Sequence, residues 1–222
     1  MTADLLPAVE VQTGPNPGAS VIWLHGLGAD GHDFEPAVPA LVVPGARALR
    51  FVFPHAPVRA VTLNGGARMR AWYDILGFDR HAAQDEAGVR ASDRAIRALI
   101  ARENQRGIAT ERIVLAGFSQ GGAMALFTGT RLPDRLAGII GLSCYLLLAE
   151  RLSEERSSAN QSTPILLAHG NQDPVVDPRL GEATRARLEA EGYRVEWHSY
   201  PMSHAVCAEE LAAVAQFLQR VL

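Results

Sequence analysis

The chain has 222 residues, 48% apolar and 20% charged, with a net charge of −3. That length fits one domain over residues 1–222, able to bury roughly 70% of its unfolded surface. The mild acidity, with no basic cluster, argues against nucleic acid as a partner, and no apolar run is long enough for integral membrane association.

Chain order reads as alternating strands and helices. Met1 to Gln12 carries Asp4 and Glu10 and no basic residue before an apolar run, so no secretory signal is expected. Residues 20–24 form a strand, followed by a glycine-rich turn and a helix over 34–41. A strand over 49–53 ends at Pro54, and 56–81 reads as a long irregular stretch. Helical periodicity runs through Val89, Ala95, Ile96, Leu99 and Ile100 within 85–106. Strands are expected at 112–116, 137–142, 165–168 and 194–200. The polar segment 153–163 reads as a surface loop or frayed helix end. A helix over 178–191 starts with Asp177 as N-cap and Pro178 at its first position. Residues 205–222 form an amphipathic terminal helix. The alternation predicts an α/β fold, a mostly parallel central sheet with helices on both faces, whose sites gather at the carboxyl ends of the strands.

The sharpest local signal is Gly117-Phe118-Ser119-Gln120-Gly121, directly behind the apolar run Ile113-Val114-Leu115-Ala116. A glycine two residues to either side of a serine at a strand-to-helix turn fits a nucleophile held on a strained tip. Alone, the pentapeptide is equally compatible with a packing turn. A serine hydroxyl also needs a base, and an acid to orient that base. Of seven histidines, His204 follows the final strand in Tyr200-Pro201-Met202-Ser203-His204. His25 and His169 end apolar strands, His32, His55 and His81 lie in loops, and His198 is within a strand. The segment Leu167 to Val176 leaves a strand and reaches Asp173, which locally is favoured over Asp177 but also suits a turn before Pro174. An oxyanion needs backbone N–H donors. Gln120, the residue after the serine, supplies one. Leu27, in the glycine-rich loop His25-Gly26-Leu27-Gly28-Ala29-Asp30-Gly31, supplies the other.

With these parts in order, the sequence resembles the phospholipase/carboxylesterase family of α/β-hydrolases. The resemblance runs through V-I-W-L-H-G-L-G-A-D-G-H-D-F (21–34), M-R-A-W-Y-D-I (69–75), L-A-G-F-S-Q-G-G-A-M-A-L (115–126), G-L-S-C-Y-L (141–146), H-G-N-Q-D-P-V-V (169–176) and Y-P-M-S-H (200–204). It implies Ser119 as nucleophile, Asp173 as acid, His204 as base, and Leu27 and Gln120 as oxyanion donors. It also implies that 69–78 borders the site, with Trp72, Ile75, Leu76 and Phe78 as substrate-binding residues, joined by Val176 from the fifth block. Ordinary core packing accounts for these side chains equally well. Cys144 stands where the family commonly has glycine, and is expected to face the site and narrow it.

The expected function is a serine carboxylesterase acting on esters of short to medium acyl chains, with a small-molecule or lipid-like ester as substrate. Acyl-protein thioesterase or lysophospholipase action uses the same triad. A catalytically silent binding protein is the rival from another class, and a peptidase has no supporting segment. No organic cofactor or metal is required. Cys144 and Cys207 show no metal-ligand spacing, and two reduced thiols suggest a cytoplasmic protein. Exposed apolar residues in 63–78 would serve substrate, a lid or a homodimer contact.

Overall fold

A computed structural model describes residues 5–42, 45, 47–77 and 83–222. His81 and Phe78 lie outside the described residues. Strands β1 (Ala8–Gln12), β2 (Ala19–Leu24), β3 (Leu49–Pro54), β6 (Ile113–Phe118), β7 (Gly138–Leu142), β8 (Ile165–Gly170) and β9 (Val195–Tyr200) form one seven-stranded sheet. Its order is β1-β3-β2-β6-β7-β8-β9, parallel throughout except for β1, which pairs antiparallel with β3.

The inner strands are buried along their whole length, so they read as continuous apolar runs. Alternate side chains nevertheless go to opposite faces. Ile22, Leu24, Leu115, Ile139 and Leu167 join one core with residues of α2 (Glu86–Gln105), α3 (Gln120–Arg131) and α5 (Pro178–Ala190). Val21, Trp23, Val114, Ile140 and Leu166 join a second core with α1 (Val38–Leu41) and α6 (Ala208–Val221). The result is an α/β-hydrolase fold with helices on both faces.

Helix starts follow their sequence signals. The Asp85 carboxylate accepts from Gly88 N–H at the start of α2, and Asp177 accepts from Arg179 N–H ahead of Pro178 in α5. The segment 34–41 holds only a single 3-10 turn (Glu35–Ala37) and the four-residue α1. The polar stretch after β7 contains short α4 (Leu152–Glu155) and a 3-10 turn (Ser158–Asn160).

The expectation for the stretch after β3 needs correction. Residues 56–81 are not irregular throughout: β4 (Val58–Val61) and β5 (Ala67–Arg70) form an antiparallel hairpin. Its turn places Gly65 and Gly66 at φ of 64° and 81°, which glycine adopts without strain. The strands V-R-A-V and A-R-M-R are too short and too charged to show a clear period. The N-terminal segment adds edge strand β1, five residues of mixed burial with no counterpart among the strands expected from sequence.

Because β2, β6, β7, β8 and β9 run parallel, the loops that leave them open at the carboxyl ends of the strands. Every residue singled out as a candidate catalytic group lies there.

Candidate active site

Ser119 sits between β6 and α3 at φ 54° and ψ −121°, a conformation that non-glycine residues rarely adopt. Its N–H donates to Leu142 O at 2.8 Å, which holds the strained turn against the neighbouring strand. The flanking glycines are required by contact rather than by φ. A Cβ on Gly117 would lie 2.3 Å from the Gly121 carbonyl carbon, and one on Gly121 would lie 2.2 Å from Leu24 O. The helix therefore starts tightly against β2 and β6, and the serine is left at the tip.

The loops after β8 and β9 are tied together. Asn171 N–H donates to Tyr200 O and Gln172 N–H to Met202 O, at 2.8 and 3.1 Å. This pairing brings Asp173 to His204. The His204 Nδ1–H donates to Asp173 Oδ2 at 2.7 Å, and Ser119 Oγ–H donates to His204 Nε2 at 2.9 Å. Asp173 is buried, and its other oxygen accepts from Val175 and Val176 N–H at 2.8 and 2.9 Å. The carboxylate is thus fully engaged and fixed in orientation. Asp177 takes the helix-capping position instead. Phe118 packs on the His204 ring, with centroids 4.8 Å apart.

His25, seen in the sequence only as a strand-terminal histidine, controls the glycine-rich loop. Ala56 N–H donates to its Nε2 at 3.1 Å, so that nitrogen carries no proton. The proton is on Nδ1, which donates to Gly26 O at 2.7 Å. Burial holds the His25 pKa below the usual imidazole range and keeps it neutral. Gly26 O and Leu27 N–H belong to one planar peptide and point in opposite directions. Fixing the carbonyl against His25 therefore turns Leu27 N–H the other way. Trp72 Nε1–H donates to His25 O at 2.9 Å and steadies the same loop.

The Gln120 side chain is a second tie that the pentapeptide did not reveal. Its Oε1 accepts from Trp72 N–H at 2.7 Å and its Nε2 donates to Tyr73 O at 2.8 Å. This amide mimics a strand neighbour for the segment after β5 and anchors it beside Ser119. No local sequence signal indicates the pairing, because the two residues stand 47 and 48 positions from Gln120.

Ser119, His204, Leu27 and Gln120 open on a cleft of about 1110 Å³. Ile75, Leu76 and Val176 line it. Trp72 does not. It is fully buried with its indole N–H committed to His25 O, so it supports the wall from behind. Cys144 also departs from expectation. After Ser143 at φ 46°, the chain turns the thiol into the core, against Gly122 and Gly141, and it does not line the cleft. Burial pushes this thiol pKa far up, so it stays an inert thiol. Among the described residues, no group of three or more His, Cys, Asp or Glu is gathered in the manner of metal ligands.

Comparisons with known proteins assign the chain to a family. The family model described as Phospholipase/Carboxylesterase matches residues 7–222. The chain is 44% identical to acyl-protein thioesterase 1 of Neurospora crassa, over 96% of this chain and 89% of that one. It is 37% identical to acyl-protein thioesterase 1 of Mycosarcoma maydis, over 96% and 95%. Among solved structures, Arabidopsis thaliana SOBER1 superposes with a TM-score of 0.86 at 29% identity, covering 91% of this chain and 98% of that chain. Zea mays acyl-protein thioesterase 2 gives 0.83 at 28% identity, covering 97% and 99%. With its sheet order, its strained serine turn and a family match over nearly its whole length, the chain belongs to the phospholipase/carboxylesterase family of α/β-hydrolases and is a hydrolase acting on carboxylic esters.

Proposed function

We propose that this protein hydrolyses acyl thioesters through an acyl-enzyme on Ser119, acting as a thioesterase of the acyl-protein type. The observation that carries the mechanism is His204 bridging Ser119 Oγ and Asp173 Oδ2 at 2.9 and 2.7 Å. Resemblance to several curated acyl-protein thioesterases favours the thioester over a generic carboxylic ester.

In this reading His204 Nε2 takes the Ser119 proton as Oγ bonds to the carbonyl carbon. The resulting imidazolium is held by Asp173. The oxyanion accepts from Leu27 and Gln120 N–H. Collapse breaks the bond to the leaving sulfur, which takes the proton from His204. Water then attacks the acyl-serine, gives its proton to His204, and the carboxylic acid leaves as Ser119 regains its own. The acyl chain lies in the cleft along Ile75, Leu76 and Val176. Cys144 and Cys207 are both free, which supports a reducing, cytoplasmic setting.

A carboxylesterase with broad preference is the second reading, favoured by likeness to the solved esterase PE8, at 28% identity and a TM-score of 0.84. Matched pairs of S- and O-esters with the same acyl group separate the two. The thioesterase reading expects the higher kcat/KM on the thioester after correction for uncatalysed hydrolysis. A corrected preference for the oxygen ester would establish the second reading. Ser119→Ala should lower kcat on both by roughly 10⁴–10⁶-fold. Wild-type turnover in that variant would overturn both.

A further inference from the structure

Tyr73 and Tyr145 both line the cleft that holds Ser119, and their hydroxyls are 3.0 Å apart. Both are held in place by backbone ties. Tyr73 is rooted beside the serine through the Gln120 amide, which accepts from Trp72 N–H and donates to Tyr73 O. Tyr145 follows Ser143, whose N–H donates to Ala168 O, and precedes Leu146, whose N–H donates to Thr184 Oγ1 at 2.8 Å.

The protons on these hydroxyls can be counted. Each phenol carries one O–H, and only one of the two is used between them. The other proton has no acceptor among the described residues. Thr184 is buried, lines the same cleft and accepts from Leu146, and its own hydroxyl proton likewise has no acceptor among the described residues. Burial raises the pKa of both phenols, so they remain donors. The cleft thus presents two spare donor protons, one on the phenol pair and one on Thr184.

We propose that the Tyr73–Tyr145 hydroxyl pair, with Thr184, is a polar subsite that selects acyl groups carrying a neutral acceptor oxygen such as an ether, ketone or hydroxyl. The proposal rests on the reading of Ser119 as nucleophile and names the substrate class for that site. A plain alkyl chain passing these groups leaves buried donors unpaired, whereas an oxygen at the same depth accepts from them. The oxygen is neutral because of the charges on the lining. Asp33, Asp74, Asp85, Glu150, Asp173 and Asp177 line the cleft with Arg187, which pairs with Glu191 at 2.8 Å; Asp85 and Asp177 have Arg59 and Arg179 as partners, which leaves Asp33, Asp74 and Glu150 in excess. A carboxylate on the substrate would meet repulsion there. The subsite serves the acyl side of the ester. The leaving group lies within reach of His204, and the subsite takes the acyl side, next to Gln120, whose amide ties down Tyr73.

The test uses p-nitrophenyl esters in isosteric pairs, with one methylene replaced by an ether oxygen at successive positions: methoxyacetate against butyrate, 3-methoxypropanoate against pentanoate, 4-methoxybutanoate against hexanoate. The ratio of kcat/KM within each pair is measured for wild type, Tyr73→Phe, Tyr145→Phe and the double variant. Dividing the wild-type ratio by the variant ratio removes the intrinsic reactivity of the ester. At one ether position this quotient is expected to reach about tenfold for the double variant. Each single variant keeps one phenol proton, so its quotient is smaller than the double's and the two do not combine additively. A quotient near one at every position overturns the subsite, including the case in which water simply occupies it. Labelling by a fluorophosphonate establishes that each variant has folded with a working serine. Wild-type protein that neither labels nor hydrolyses any of these esters overturns the Ser119 reading, and the subsite falls with it. Protein that labels and turns over with equal quotients overturns the subsite alone.

Discussion

His25 shows how one ring can set a backbone donor. Its two nitrogens have opposite duties, Nε2 accepting from Ala56 and Nδ1–H donating to Gly26 O. Asparagine places its amide near the Nδ1 position, and glutamine places its own near Nε2. His25→Asn is therefore expected to retain most of kcat, because the Gly26 carbonyl keeps its donor. His25→Gln keeps the tie to Ala56 but frees the Gly26–Leu27 peptide. Its kcat should fall by on the order of 10²-fold, near the cost of losing one oxyanion donor, with KM little changed. Steady-state kinetics of the two variants, with affinity for a trifluoromethyl ketone as a transition-state mimic, checks this; equal loss in both would rule out the positioning role. At this scale the sequence pointed to Ser119, Asp173 and His204 as candidates, because the family it resembles carries nucleophile, acid and base in that chain order. It did not reveal the side-chain work of His25 and Gln120. The ties of Gln120 to Trp72 and Tyr73 and of His25 to Ala56 reach backbone atoms tens of residues away and leave no local pattern, and the bond of His25 to its neighbour Gly26 depends on a ring orientation that the residue type does not reveal.

Between elements, a buried polar contact centres on Glu103 of α2. Its carboxylate is fully buried and accepts from Ser20 Oγ on β2 at 2.5 Å, Arg50 Nη1 on β3 at 2.8 Å and Arg106 Nη1 at 3.0 Å. One side chain thus holds a helix to two strands of the sheet. Glu103→Ala leaves the buried Arg50 guanidinium without its counter-charge, and stability should drop by about 3–5 kcal/mol in urea unfolding. A loss under about 1 kcal/mol would mean that Arg50 finds another partner or reaches solvent. The elements themselves were mostly legible. Apolar runs marked the buried strands, and Asp85, Asp177 and Pro178 marked helix starts. The hairpin β4–β5 and edge strand β1 were not, because strands of four or five residues give too few repeats to mark a period, and charged residues interrupt the apolar pattern.

For the molecule as a whole, stability carries a pH dependence that starts from Glu210. This residue lies in the first turn of α6, fully buried, and neither carboxylate oxygen has a partner among the described residues. Burial raises its pKa from 4.5 to about 8. Between those values the folded chain holds a proton that the unfolded chain has released. Stability contributed by this group is therefore fully present below about pH 4.5, falls as pH rises, and is lost above about pH 8. The positive end of α6 offsets part of the cost. Glu210→Gln removes the titration. Its melting temperature should exceed that of the wild type by roughly 5–10 °C at about pH 9 and converge with it at about pH 5. Parallel melting curves across that range would show that the carboxyl is charged in the fold.

Sequence by itself determined the fold class, the family and the identity of the groups suited to acyl transfer. These follow from local quantities: hydrophobic runs, caps, glycines where a side chain would collide, and ordered motifs. Only the tertiary structure decided which groups meet. The parallel sheet opens its loops at the carboxyl ends of its strands, and backbone bonds between the loops after β8 and β9 bring Asp173 to His204 and His204 to Ser119. It also sent Trp72 and Cys144 into the core, although both lie in motifs that border the cleft. The direction of a side chain at a loop is set by one or two backbone angles and by what packs behind it. Neither is encoded in the residue's immediate neighbours.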